Sequence, residues 1–159
     1  MSEQQAQEAK PGRNRRLSRE LVLKGLYQQF LSGNSAAAIL RNLAEDSTFA
    51  RADQAYCKTL MNGVLENLPG LDAKLAGFVD RKVEELSPIE HAILCIAGYE
   101  LAFDADIPYR VAINEAIELA KRYGGADGHK YVNGVLDRLA ADLRPEEVQK
   151  RQAVSRKKT

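Results

Sequence analysis

The sequence has few cysteines and no long apolar segment, and both absences restrict the class of protein. Only two of its 159 residues are cysteines, Cys57 and Cys95, too few for a disulfide framework. No run approaches the roughly 18 apolar residues that a spanning helix needs, and the N-terminus is polar, unlike a signal peptide. We therefore expect a cytoplasmic protein that makes no contact with a membrane and buries both thiols as small apolar side chains.

Sequence signatures of enzymes are also missing. The chain has no nucleophile elbow, phosphate-binding glycine loop or dinucleotide fingerprint, and no carboxylate pair stands out as a general acid and base. Four zinc ligands are available in His91, Cys95, Cys57 and His129, but structural zinc usually binds close pairs such as C-x2-C, which are absent here. We therefore predict a protein that is not an enzyme and has no metal or cofactor.

Strand patterns are absent, whereas helical periodicity runs through most of the chain. Ser87-Pro-Ile-Glu90 is a helix-start signature, and the helix that follows is apolar nearly all round, as expected at the centre of a bundle. The stretch from Ile107 to Leu139 predicts two helices separated by Gly124-Gly125, with the glycine in the left-handed conformation that caps a helix. The patterns together predict an all-α bundle of about seven helices.

Composition divides the chain into three parts. Residues 1–12 are polar and Gln-rich, and we expect them to be disordered. Residues 13–143 carry the helical pattern and divide near Pro69-Gly70 into subdomains 13–68 and 69–143. Residues 144–159 form a basic tail, expected to have little order beyond a helical turn at 146–149.

Charge is distributed unevenly along these parts. Residues 1–30 carry a net charge of +3, residues 144–159 carry +4, and the segment between them carries −6. This distribution is typical of a chain whose ends contact a polyanion and whose body contacts a basic protein. The alternative is that the charged tails only keep the protein in solution.

Arginines precede an aromatic residue along the first predicted helix. Arg16 and Tyr27 are eleven residues apart, so they lie on one side of the helix and about 16 Å apart. Guanidinium groups bind phosphates and an aromatic ring stacks on a base, so this side could bind single-stranded RNA. The alternative is that Tyr27 borders the core and the arginines are merely solvated.

Two further groups of polar residues lie at helix starts. The segment Asp127-Gly-His-Lys-Tyr131 precedes the apolar stripe of the last long helix, a position that presents side chains to a ligand. The carboxylates of Glu84, Glu85 and Glu90 are candidates for an acidic contact patch. For these the alternative is a solvated helix end whose charge favours the helix dipole.

Three segments of the chain resemble the bacterial NusB family of transcription antitermination proteins. They are LVLKGLYQQFLSG, LSPIEHAILCIAGYELAF and PYRVAINEAIELAKRYGGADGHKYVNGVLDRL. The similarity covers roughly residues 13–143. It implies a fold of two perpendicular three-helix bundles. It also implies binding of boxA RNA from ribosomal operons together with NusE, a small-subunit ribosomal protein, so that RNA polymerase resists termination.

The resemblance also assigns roles to the polar groups. It implies that the acidic patch contacts NusE, that RNA polymerase is an indirect partner, and that no cofactor is needed. Tyr131 occupies an aromatic position of the family, and Gly128 a small one. The residues implied to bind RNA are Arg13, Arg15, Arg16, Tyr27, Asp127, Lys130 and Tyr131, and those implied to bind NusE are Glu84, Glu85 and Glu90.

Two other interpretations fit the helical pattern. NusB-like domains also occur fused to RNA cytosine methyltransferases, but we expect no cofactor-binding domain in a chain of this length. The second alternative is a helical scaffold that binds proteins, or forms a homodimer, without binding RNA.

Overall fold

The computed structural model describes residues 11–157 of the chain, with side chains for residues 15–156. The N-terminal extension that we predicted to be disordered, apart from Pro11 and Gly12, lies outside the described residues. The chain divides into two compact units, residues 1–68 and 69–159. The described residues contain α-helices, short 3-10 helices and no strand, which confirms the prediction of an all-α fold.

Eight α-helices lie within residues 11–157, one more than the seven or so that we predicted. The first unit contains α1 (Pro11–Ser32), α2 (Ala36–Ala44), a 3-10 helix (Phe49–Arg51) and α3 (Gln54–Glu66). The second contains α4 (Leu68–Ala76, whose first residue belongs to the first unit), a 3-10 helix (Val83–Glu85), α5 (Pro88–Phe103), α6 (Tyr109–Tyr123), α7 (Gly128–Leu143) and α8 (Pro145–Lys157). None of these helices is long and apolar enough to cross a membrane.

Side-chain caps fix the start of three helices. The hydroxyl of Ser35 accepts a hydrogen bond from the backbone N–H of Ala38, and that of Ser87 accepts one from Glu90. The carboxylate of Asp53 does the same at the start of α3. Each bond satisfies an N–H group that the first helical turn leaves without a partner. The predicted caps Ser35 and Ser87 are therefore confirmed.

Close helix packing forms the core of the first unit. The helices α1, α2 and α3 pack against one another, and Leu21, Leu26 and Leu60 between them are fully buried. Gly25 lies where α1 approaches both partners, because an added Cβ would overlap Met61 Cε and lie 2.8 Å from Ile39 Cγ2. Glycine at this position therefore permits the close approach of α1.

The core of the second unit is organised around α5. This helix packs against α6 and α7, and every residue from Ala92 to Gly98 is buried. The sequence predicted such a buried central helix, and the burial confirms it. Cys57 in the first unit and Cys95 on α5 are both buried free thiols, as predicted.

One local prediction, the left-handed cap at the end of α6, was wrong. Gly124 ends α6 with a φ of −87°, which is not left-handed, and an added Cβ would lie 2.7 Å from the carbonyl oxygen of Ala120. The glycine is therefore explained by close packing at the helix end. Pro69 and Gly70 lie inside the first turn of α4, a position that tolerates proline, and the preceding helix α3 ends at Glu66.

The C-terminal segment also differs from the prediction of little order. Residues 145–157 form the thirteen-residue helix α8. The Arg144 guanidinium, which directly precedes it, donates hydrogen bonds to four backbone carbonyls, those of Glu100, Leu101, Asp104 and Ile107. These bonds anchor the start of α8, a tertiary contribution that its charged sequence does not reveal.

Candidate nucleic-acid interface

The described start of α1 is fixed against the start of α3 in the first unit. The Ser18 hydroxyl donates a 2.7 Å hydrogen bond to the carbonyl oxygen of Asp53. The Arg15 guanidinium lies 4.3 Å from the centre of the Tyr56 ring, and its Nε is 3.6 Å from an Asp53 carboxylate oxygen. Arg19, also over the Tyr56 ring, is almost fully buried. These contacts stabilise the backbone from which the predicted RNA-binding arginines extend.

The three predicted arginines differ in their surroundings. The side chain of Arg15 is 39% exposed and partly engaged by Tyr56 and Asp53, whereas Arg16 is exposed. The side chain of Arg13 lies outside the described residues. Tyr27 is 38% exposed on the same helix, and its spacing from Arg16 places both on one side of α1. This side of α1 therefore combines an exposed guanidinium group with an accessible ring.

Three side chains from two separate segments meet at the start of α7 in the second unit. The Tyr131 hydroxyl donates a 3.0 Å hydrogen bond to Asp80 Oδ1, and Arg81 Nε donates to the same oxygen at 2.9 Å. The Arg81 guanidinium also lies 5.1 Å from the centre of the Tyr131 ring. We call these residues the Tyr131 cluster. It holds the ring in one orientation and places a positive charge over it.

Hydrogen bonding in the Tyr131 cluster also sets its protonation. The bond from Arg81, and then that from Tyr131, lower the pKa of Asp80. Partial burial, followed by the bond to Asp80, raises the pKa of Tyr131. At neutral pH the cluster therefore contains an ionised carboxylate and a neutral phenol, so the hydrogen bond between them keeps its direction.

Asp127 and Lys130 present opposite charges beside this cluster. Asp127 occupies the N-cap position of α7, yet its side chain makes no capping hydrogen bond. Its carboxylate is 83% exposed and lies 3.7 Å from the ammonium group of Lys130, which is 75% exposed. Such an exposed ion pair contributes little to stability, so both groups remain accessible to a ligand.

The three acidic residues assigned to a protein partner are not equivalent. Glu84 and Glu85 are exposed on the second 3-10 helix. Glu90 is partly buried. Its carboxylate lies near the start of α7, since a Cβ added to Gly128 would be 3.1 Å from one of its oxygens. Glu90 therefore adjoins the segment that carries Asp127 and Tyr131, a proximity that helical periodicity in the sequence does not predict.

The sequence did not identify Asp80 and Arg81 as part of this surface. Fifty-one positions separate Asp80 from Tyr131, and no periodic pattern links residues at that distance. The only available signal was an adjacent acidic and basic residue just before a predicted helix start. The structure brings Asp127, Lys130 and Tyr131 together within the second unit, and Arg15, Arg16 and Tyr27 onto α1 of the first.

Comparison with known proteins gives a consistent family match. The model of the NusB family matches residues 16–141. The transcription antitermination protein NusB of Methylobacillus flagellatus is 62% identical over 141 residues, which cover 89% of this chain and 92% of that protein. The corresponding protein of Thiobacillus denitrificans is 51% identical, with 86% of this chain and 94% of that protein covered.

Solved structures match the fold as well. T. maritima NusB superposes with a TM-score of 0.72 at 34% identity, covering 84% of this chain and 96% of that one. A crystal structure of antitermination factors NusB and NusE in complex with dsRNA contains a chain that matches with a TM-score of 0.75. At 21% identity, over 82% of this chain and 98% of that one, this second match supports the fold alone. By sequence and by fold, the chain belongs to the NusB family of transcription antitermination proteins.

Proposed function

We propose that this antitermination factor binds boxA-type single-stranded RNA of ribosomal operons together with NusE, in the cytoplasm, and so promotes processive elongation by RNA polymerase. The observation that carries the proposal is the Tyr131 cluster, in which an oriented, partly exposed ring lies beside the exposed Asp127 and Lys130. Membership of the NusB family makes the chain an antitermination factor and not an enzyme.

Stacking is the role proposed for Tyr131. An unpaired base can lie against an aromatic face, and such a contact contributes about 1–3 kcal/mol. Arg81 and Asp80 fix the ring before RNA arrives, so less conformational entropy is lost on binding. A base in a duplex is stacked on its neighbours and cannot use this face, so the proposal is specific to single strands.

Polar groups beside the ring supply the remaining contacts. The Asp127 carboxylate makes no capping bond and can accept hydrogen bonds from the amino group of a base. The Lys130 ammonium can neutralise a phosphate. On α1, Arg13, Arg15 and Arg16 provide further phosphate contacts and Tyr27 a second ring. Phosphate neutralisation makes the affinity depend on salt.

A basic ribosomal protein is the proposed second partner. Glu84 and Glu85 are exposed, and the segment between the basic termini carries a net charge of −6. Such a surface attracts a cationic protein and speeds its association. Because Glu90 adjoins the start of α7, a partner bound there would extend the RNA surface, and the two ligands would bind cooperatively.

The experiment is an RNA-binding titration of matched variants in the presence of NusE. Tyr131→Ala should weaken binding of a boxA-type single strand by about 5- to 150-fold, which is the stacking energy expressed as affinity. Tyr131→Phe keeps the ring and should stay within a few-fold of the unmodified protein. Arg16→Ala should weaken binding. It should also reduce the slope of log affinity against log salt concentration by about one, the value for one lost phosphate contact.

A partly exposed tyrosine and an exposed arginine outside the proposed surface provide the controls. Tyr123→Ala and Arg41→Ala remove the same chemical groups from the end of α6 and from α2, and both should leave the affinity unchanged. Thermal unfolding should be similar for all variants. Unchanged affinity in both Tyr131→Ala and Arg16→Ala, or equal binding of a duplex of the same sequence, would favour the protein-interaction scaffold instead.

A further inference from the structure

Three potential metal ligands converge between α4 and α5 in the second unit. His91 Nε2 lies 2.7 Å from Asp72 Oδ1, and Cys95 Sγ lies 3.7 Å from the same oxygen. All three ligand atoms lie within 4.8 Å of one another. Cys95 is fully buried, whereas Asp72 and His91 are only partly covered. The RNA-binding proposal uses none of these residues.

We propose that Asp72, His91 and Cys95 form a Zn²⁺ site that joins α4 to α5, with water as the fourth ligand. In tetrahedral zinc sites with bonds of about 2.0–2.3 Å, ligand atoms are about 3.3–3.7 Å apart. The sulfur-to-oxygen distance already meets this requirement. The imidazole and carboxylate must separate by roughly half an ångström, a movement that partly exposed side chains can make.

Charge balance favours a divalent cation at this position. Binding releases the thiol proton of Cys95 to solvent, so the site then contains one thiolate, one carboxylate and a neutral imidazole around Zn²⁺, with no net charge. Without metal, burial and the neighbouring Asp72 carboxylate raise the pKa of this thiol, so it stays protonated at neutral pH. Binding should therefore weaken as the pH falls, because protons compete for the ligands.

The ligand types select among cations. Thiolate and imidazole are borderline or soft donors that bind Zn²⁺ well, whereas Mg²⁺ and Ca²⁺ prefer sites made of oxygen atoms. The partly exposed Asp72 and His91 leave a side of the cluster through which the ion and its water can enter. The other interpretation is that the imidazole and the carboxylate form only a hydrogen-bonded pair, with the thiol packed beneath them.

Co²⁺ titration of the chelator-treated full chain distinguishes these interpretations. We expect one equivalent of Co²⁺ to produce the near-ultraviolet sulfur-to-metal charge-transfer absorption and the visible bands of a tetrahedral site, and Zn²⁺ to abolish both. His91→Asn, Asp72→Asn and Cys95→Ser should each weaken Zn²⁺ binding by at least about 10- to 100-fold, since even the loss of an outer-sphere partner has an effect of this size. Cys95→Ser should also lose the charge-transfer absorption.

The chain offers matched controls, because Cys57 and His129 are its only other cysteine and histidine. Cys57→Ser and His129→Asn should leave the spectrum and the stoichiometry unchanged. The proposal is overturned if the unmodified chain shows no charge-transfer absorption, or if that absorption survives in Cys95→Ser. If circular dichroism shows that Cys95→Ser does not fold, His91→Asn is the decisive variant, because His91 is less buried than Cys95. Unaltered Zn²⁺ affinity in His91→Asn would then reject the site.

Discussion

Burial governs the chemistry of Cys57, a residue in the core of the first unit. Its thiol is fully buried, and loss of solvation, reinforced by the Asp53 carboxylate, raises its pKa to about 11 from an ordinary value of 9.0. The thiolate is the reactive form of cysteine. Cys57 should therefore be inert toward thiol reagents at neutral pH while the chain is folded.

The raised pKa of Cys57 predicts a pH dependence of stability. Below pH 9.0 the thiol is protonated in both the folded and the unfolded chain, so its contribution is fully present. As the pH rises from 9.0 toward about 11, the unfolded chain ionises first and the free energy of unfolding falls. Urea denaturation across this range should show a steeper decline for the unmodified protein than for Cys57→Ala. Parallel curves would contradict the assigned environment.

For single residues, burial could be predicted from the sequence, whereas contacts with distant segments could not. The burial of Cys57 and Cys95 could be predicted, because each lies on an apolar stripe of its own helix. The orientation of Tyr131 could not, since it depends on Asp80, a residue of a different segment. The position of Asp72 beside His91 and Cys95 could not be predicted from the sequence for the same reason. Helical periodicity relates only residues of the same helix.

At the scale of helices, the short distance from α1 to α2 and α3 restricts which residue can occupy position 25. The close approach of α1 to α2 and α3 at Gly25 leaves no room for a methyl group. Gly25→Ala should lower the free energy of unfolding by about 1–3 kcal/mol through overpacking. Gly134→Ala is the matched control, because Gly134 faces open space inside α7; alanine there should raise stability by about 0.5–1 kcal/mol. Chemical denaturation measures both, and equal effects would contradict the packing argument.

Tertiary hydrogen bonds determine the position of α8. Arg144 bonds to backbone carbonyls at the end of α5 and in the following loop, and to the Glu147 carboxylate. Glu147 in turn accepts a 2.9 Å hydrogen bond from the backbone N–H of Tyr109, the first residue of α6. The helix is therefore attached to the second unit through both members of one ion pair.

Removal of this attachment should lower the free energy of unfolding. Arg144 is only 10% exposed, so Arg144→Ala leaves several carbonyls without a donor and should destabilise the protein by about 2–5 kcal/mol. Residues 145–157 should also become sensitive to trypsin. The exposed Arg151 provides the control, and Arg151→Ala should change stability by less than about 0.5 kcal/mol. Similar stability and protease resistance in the two variants would refute the anchoring role.

The helix starts were largely predictable, whereas the C-terminal helix was not. Ser35 and Ser87 are local signals that act within one turn, and a single sequence displays them directly. The backbone carbonyls that Arg144 binds are 37–44 positions away along the chain, so the sequence of the tail did not predict its order. Helix starts that depend on neighbouring residues could therefore be predicted from the sequence. The order of α8, which depends on distant residues, could not.

At the scale of the whole molecule, charge and family membership support the same interpretation. The basic termini and acidic middle segment suit a factor that joins an RNA to a basic protein. The fold class and the family could be identified from sequence because long specific segments are similar to other NusB proteins.

One titration tests the central claim most directly. A labelled boxA-type single strand is titrated with the full chain, with and without purified NusE, at two salt concentrations. We predict weak, salt-sensitive binding by the chain alone and an affinity at least about fivefold higher with NusE, the smallest effect expected of coupled binding. If the RNA remains unbound at both salt concentrations even when NusE is present, the proposed RNA-binding function is wrong.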